Sequence, residues 1–362
     1  MTAPLRRAAI RAVVEQHVDD CVALRVSRVH WVRAPHVRLR HLQRLDERLS
    51  ANIDGLRTAG EFGATACRGL LANPAAPQVF TVAVQRPPEP EDAQLERLLA
   101  LVEIEPTARK GLASGLAWSA PFDTTRLTQA WLSGTSDVAK AVAIDVMRLQ
   151  RRRPPGLHRM IHDRAEVVRQ SAVRASLVLG HDDEVAETSV DRAEWPYPDP
   201  GSQDAGLRVW LRRAGLAGQP EHVPTLLSAM AQEATTRLAG EAFSMLTGVD
   251  LVESGMEIRP SKENLAHSVL LEDPSETDDG LPWPDCTRVR DWWQAEGKAF
   301  RPGRRYFAGR EPSLNHCLGV LRDGGQRQRA AAAVHLQRLR PSTPLFNVFA
   351  PAPLQQLWLS GA

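Results

Sequence analysis

Apolar positions recur every three or four residues along almost all of this 362-residue chain. In "LRHLQRLDERLSANIDGLRTAG", Leu42, Leu45, Leu49, Ile53 and Leu56 form one stripe opposite a charged face, the mark of an amphipathic helix. Pro35 stands where such a helix can begin and Gly60 where it can stop. Alternating β-branched residues between turn signals are scarce. The best strand candidate, "VFTVAV" at residues 79–84, lies between prolines without a pairing partner, so it reads as a short helix or buried segment. The pattern predicts an all-α protein.

From about residue 92 the predicted helices come in pairs, and the pairs repeat. The second helix of each pair carries a basic residue followed three positions later by a small one: Lys110 with Ala113, Lys140 with Ala143, Arg169 with Ala172, Arg237 with Gly240, and Arg329 with Ala332. The first two steps are 30 and 29 residues; the next two, 68 and 92, leave room for insertions. Residues three apart share a helix face, so the small one admits a neighbouring helix while the basic one is expected to reach water at the edge. Val167, Val173 and Leu177 are expected to fill the layer between. Two-helix units of this period cannot bury their apolar faces alone and must stack. They are similar to HEAT repeats, "DRAEVVRQSAVRASLVLG" (residues 163–180) most closely. The expected architecture is therefore a HEAT-like α-solenoid, a superhelix of antiparallel helix pairs, with a non-repetitive bundle as the alternative. Its expected parts are a helical N-terminal segment (1–90), repeats (91–250), an acidic proline-containing linker (251–287) and a Trp/Arg-rich C-terminal repeat and cap (288–362).

Composition narrows the class. Lys and Arg together number 45 against 43 Asp and Glu, too even a balance to demand a polyanionic partner, and only four of the basic residues are lysines. Four scattered cysteines make no disulfide framework or metal knuckle. No secretory leader or membrane-length apolar run is read in the sequence, and the expected location is cytoplasmic. Charge is nonetheless uneven. Residues 181–204 hold eight acidic residues and residues 250–282 hold nine, both read as solvated loops, and they share the Trp-Pro signatures "EWPYPD" and "LPWPD". Residues 288–340 hold twelve basic residues against four acidic ones. "RRRPP" at 151–155 follows a helix end, where cations meet the negative pole of the macrodipole.

The catalytic signatures of dinucleotide, P-loop, serine-hydrolase and zincin sites are missing, as is any His-Glu pair for iron. Three weaker features carry a structural reading: His158 and His162, four apart, as surface histidines; Cys317 beside His316 as a buried thiol; and Asp278, Asp279 and Asp285 as a solvated linker. No cofactor or metal is expected. The distinctive stretch sets Trp292, Trp293, Phe300, Tyr306 and Phe307 among Arg288, Arg290, Arg301, Arg304, Arg305 and Arg310. Such interleaving serves protein hot spots or base stacking. It equally serves a plain terminal cap. Trp292, Trp293, Arg304, Arg305, Tyr306 and Arg310 are the candidate partner-binding residues.

Four stretches carry a resemblance: "VVEQHVDDCVALR" (13–25), "APHVRLRHLQRLDERLSANIDGLRTAG" (34–60), "LPWPDCTRVRDWW" (281–293) and "FRPGRRYFAGR" (300–310). With these the chain resembles a proteobacterial HEAT-repeat family whose genes lie among type VI secretion spike and adaptor clusters. Asn52 and Ile53 depart from the His and Leu of that family's pattern. The family has no established catalytic residues to carry across. The resemblance implies a non-enzymatic adaptor or chaperone that loads a secreted effector or spike protein. A nucleic-acid-binding HEAT protein of the DNA-repair type, using the basic C-terminal stretch, is the alternative.

Overall fold

The computed structural model describes residues 9–85, 93–118, 123–179, 205–258 and 278–361. The chain divides into two units. One comprises Met1–Val32, Arg40–Ser189 and Pro341–Ala362, and the other Arg33–Leu39 and Val190–Arg340. In chain order the helices are α1 (Arg11–Trp31), α2 (Leu39–Thr58), α3 (Glu61–Arg68), α4 (Ala76–Val84), α5 (Ala93–Ile104) and α6 (Arg109–Leu116). Then follow α7 (Thr125–Ser133), α8 (Asp137–Leu149), α9 (Leu157–Met160) and α10 (Glu166–Leu179). The second unit carries α11 (Ala205–Ala217), α12 (Val223–Met230), α13 (Thr236–Thr247), α14 (Cys286–Glu296), α15 (Leu314–Asp323) and α16 (Gln326–Leu339). The last helix, α17 (Ala352–Ser360), belongs to the first. Among the described residues there are no strands, only three isolated β-bridges. The chain is all-α.

In the first unit the α2 stripe is buried at every predicted position. Its Leu45, Leu49, Ile53 and Leu56 pack into one core with Val14, Val18, Cys21 and Leu24 of α1 and with α4 to α8. "VFTVAV" is helical: residues 79–84 make up most of α4, and all are buried. A helix apolar on every side is stable only when it is enclosed. It lies along α6, which in turn packs against α8, and α8 packs against α7 and α10. Gly111 makes the closest of these approaches possible, since a Cβ there would collide with the Ala76 carbonyl. At α10 one expectation fails. Val167 packs against the core, but Val173 and Leu177 stand 43% and 46% exposed, on the face turned away from Val168, Ala172 and Ala175.

Two arginines, Arg28 buried and Arg151 half-buried, hold the C-terminal segment to this unit. The Arg28 guanidinium, 3% exposed, donates to both oxygens of Asp46 (2.6 and 3.2 Å) and to the carbonyls of Phe349 (3.0 Å) and Ala350 (2.8 Å). Asp46 also accepts the N–H of Ala352 at 2.8 Å, at the first turn of α17, where a carboxylate satisfies an orphan donor and meets the positive helix end. Arg151 donates to the Pro344 carbonyl (2.7 Å) and stacks on Phe346 and Trp358. Arg152 turns to the hydroxyls of Thr124 and Thr125. Burial lowers the pKa of both arginines of this helix end.

In the second unit α13 packs between α11 and α12, and Phe243 at its centre is fully enclosed. The "LPWPD" segment folds back along residues 256–258, with Ile258 N–H on the Trp283 carbonyl (2.8 Å) and Asp285 N–H on that of Met256 (2.7 Å). "EWPYPD" lies outside the described residues, as does all of the 181–204 loop. The solvated-linker reading is corrected at Asp278. That carboxylate is buried and receives Arg208 at 2.7 Å. Asp285 caps α14. Asp279 remains exposed.

Candidate functional site

The Trp- and Arg-rich stretch is built from α14, a 3-10 turn (Gly297–Ala299) and an irregular loop that runs to α15. Asp285 starts α14 by accepting the N–H groups of Thr287 and Arg288, both at 3.1 Å. Trp292 and Trp293 then meet Phe243 edge-on, with centroids 5.7 and 6.1 Å away. Phe300 packs on Trp293 at 5.5 Å and on Tyr306 at 4.9 Å. Tyr306 is only 8% exposed, and its hydroxyl accepts the Arg301 N–H. Phe307 is enclosed between His316 and His335. The aromatic residues of the stretch therefore anchor it to the core.

That anchoring fixes the arginines outward. Arg301-Pro302-Gly303-Arg304 closes with the Arg304 N–H on the Arg301 carbonyl (3.2 Å), and Gly303 has φ +74°. Pro followed by a positive-φ Gly is the sequence a type II turn needs. The loop's own N–H groups then satisfy helix C-termini: Tyr306 donates to Gly218 O (2.8 Å), Ala308 to Met245 O (2.7 Å) and Gly309 to Leu246 O (3.0 Å). Gly218, at φ +64°, lies so close that any Cβ would strike the Tyr306 carbonyl. The loop thus covers the ends of α11 and α13, where positive charge is favoured by the helix dipoles. Arg301, Arg304, Arg305 and Arg310 are all exposed on it. Arg304 lies 3.6 Å from Glu311, an exposed pair of small energetic weight.

An open groove of about 630 Å³ adjoins the loop, lined by Ala308, Arg310 and Ser313 and by the α15 face from Asn315 to Asp323. Ser313 caps α15 by accepting the His316 N–H. Because the Phe307 carbonyl can only accept, the His316 contact at 2.7 Å places the proton on Nε2. Beneath lies His335, buried, with no hydrogen-bond partner for its Nε2 among the described residues. Burial, and then Arg338, Arg305 and His316, lower its pKa to about 3, so it is neutral. Cys317 is buried behind the groove, and burial raises its thiol to about 11. It is a poor nucleophile.

No family model, curated protein or solved structure matches the chain.

The small residues of the repeat pairs, Ala113, Ala143, Ala172, Gly240 and Ala332, are all buried. Their basic partners differ. Lys110 is exposed and Lys140, Arg169 and Arg237 are half-buried, but Arg329 is fully enclosed. Its guanidinium donates to the Leu321 carbonyl (2.7 Å) and to the Gln326 side chain, so it does not reach water as the repeat pattern suggested. His158 and His162 are both exposed, and the described residues hold no group of three metal-ligating side chains.

Sequence reasoning missed a buried ionic layer in this unit. Arg208 meets Asp278, and Arg327 meets Glu241 at 2.5 Å. Burial raises the Glu241 pKa, with Arg327 opposing the shift. Glu241 and Arg327 line a small cavity of about 220 Å³ with His36, Arg38 and Leu281. These residues come from four separated segments, and no spacing in the chain announces them.

Proposed function

We propose that this chain is a non-enzymatic protein-interaction scaffold. One observation carries the reading: a backbone-pinned loop holds four arginines outward beside an open groove, while the neighbouring aromatics are spent on anchoring it. A surface already fixed before binding loses little entropy on association. The helix pairs with buried small residues at the repeated positions support a HEAT-like solenoid as the scaffold's architecture. The resemblance of residues 13–25, 34–60, 281–293 and 300–310 supplies the biological setting: a cytoplasmic adaptor or chaperone that loads a type VI secretion effector or spike protein.

The experiment is gentle affinity purification of the tagged full chain, co-expressed with type VI spike, adaptor and effector proteins. The expected result is recovery of one of them in near-stoichiometric amount. Recovery of none overturns the adaptor assignment. The exposed arginines also favour a second reading, nucleic-acid binding of the DNA-repair type. The inward-turned Trp292, Trp293 and Tyr306 weigh against it, because stacking platforms must face the strand.

A further inference from the structure

The basic loop and groove also indicate what kind of partner segment fits. Arg301 and Arg304 are held at the two ends of one tight turn. Arg310 is held across an isolated bridge from the buried Phe307. Side-chain salt bridges in the loop are limited, among the described residues, to the exposed Arg304–Glu311 pair. The loop therefore presents guanidinium groups that are fixed at their roots and open to carboxylates, which they bind through paired hydrogen bonds.

Position 319 adds a second, independent observation. Gly319 lies in the middle of α15 on the groove wall, and a Cβ built there would meet nothing within 4 Å. A mid-helix glycine is unfavourable relative to alanine, and no packing neighbour demands this one. Its effect is to keep the groove open along α15. From Asn315 to Asp323 the helix rises about 12 Å at 1.5 Å per residue. That is room for about four residues of extended chain at 3.4 Å each.

We infer that the Arg301–Arg310 loop and the α15 groove dock an acidic, extended peptide segment of a protein partner. Its carboxylates lie on Arg301, Arg304, Arg305 and Arg310, and its backbone runs over Gly319. The assignment rests on the interaction-scaffold reading above and gives that partner its chemistry. A peptide is favoured over a nucleic acid for two reasons. The aromatic rings that would stack bases are packed inward. Glu311 and Asp323 also interrupt the basic surface, which a peptide with spaced carboxylates tolerates and a continuous phosphate backbone does not.

The test uses the full chain and a fluorescent twelve-residue probe of alternating Glu and Ser, read by anisotropy at low salt. Two comparison probes are the same peptide with Gln for Glu and a single-stranded oligonucleotide of equal charge. Expected are saturable binding of the Glu probe, at least tenfold weaker binding of the Gln probe, and weakening with added salt. The variant R304E/R305E/R310E is expected to lose binding at least tenfold. G319F, which fills the groove without altering any charge, is expected to lose it several-fold. Both should keep the wild-type circular dichroism, since each changed side chain points into solvent or open space. Equal binding of the Glu and Gln probes, tighter binding of the oligonucleotide, or full binding by both variants overturns the inference. Co-purification of the triple variant with secretion proteins separates the two readings. A partner still retained by a variant that has lost the probe sinks the docking assignment and leaves the scaffold standing. Probe binding with no secretion partner recovered does the reverse to the type VI setting.

Discussion

Replacing Asp46 by alanine removes the centre of the C-terminal clasp, and its cost follows from what is left behind. Arg28 is 3% exposed and Asp46 1%, so the substitution strands a guanidinium that water cannot reach. Breaking a buried ion pair from one side costs about 3–5 kcal/mol. Here the carbonyls of Phe349 and Ala350 still accept from Arg28, which holds the charge term near the lower end. The Ala352 N–H loses the carboxylate that accepts it at the start of α17, adding about 1 kcal/mol as for a lost helix cap. The expected total is about 4 kcal/mol, a large part of the roughly 5–15 kcal/mol that stabilises a typical domain. Urea denaturation measures it, and limited proteolysis localises it: residues 341–361 should become cleavable before the rest of the unit. Asp46→Asn should fall between, because its amide NH2 faces the donors of Arg28 and Ala352. The double variant Arg28→Met with Asp46→Leu should recover part of the loss, since removing both charges abolishes the stranded one. A D46A midpoint equivalent to less than 1 kcal/mol, or cleavage at an unchanged rate, would refute the clasp.

Three further outcomes are expected. His335 holds a pKa of about 3 in the fold against 6.5 in an open chain, so between those values only the unfolded state takes up the proton. Its contribution is complete above about pH 6.5 and is lost as pH falls toward 3, by at most about 5 kcal/mol; His335→Leu should flatten that part of the stability–pH curve. Gly218→Ala should destabilise the second unit by roughly 1–3 kcal/mol and loosen the arginine loop, seen as faster amide exchange at Tyr306. Gly319→Ala should raise stability by about 0.5–1 kcal/mol in a thermal melt, because it restores helix propensity in open space.

Much of the helical content was legible locally. The α2 stripe and the i, i+3 small residues depend on contacts within one or two turns, and a 3.6-residue period records them directly. Even "VFTVAV" yields to its setting between prolines, although its β-branched run points the other way. What no local pattern contains is which face meets which partner. Trp292 and Trp293 turn inward because Phe243, some fifty residues earlier, waits beneath them, and that alone turns an aromatic–arginine surface into arginines on an aromatic anchor. Arg28 and Asp46 look like two ordinary surface charges until the backbone at 349–352 closes over them. Asp278 is solvated by its sequence context and buried by Arg208, seventy positions away. Helix propensity and capping act over a few residues, so the sequence alone determined the helices. Burial and ion pairing join distant segments, so only the tertiary structure decided which charges are hidden and which stay outside to act.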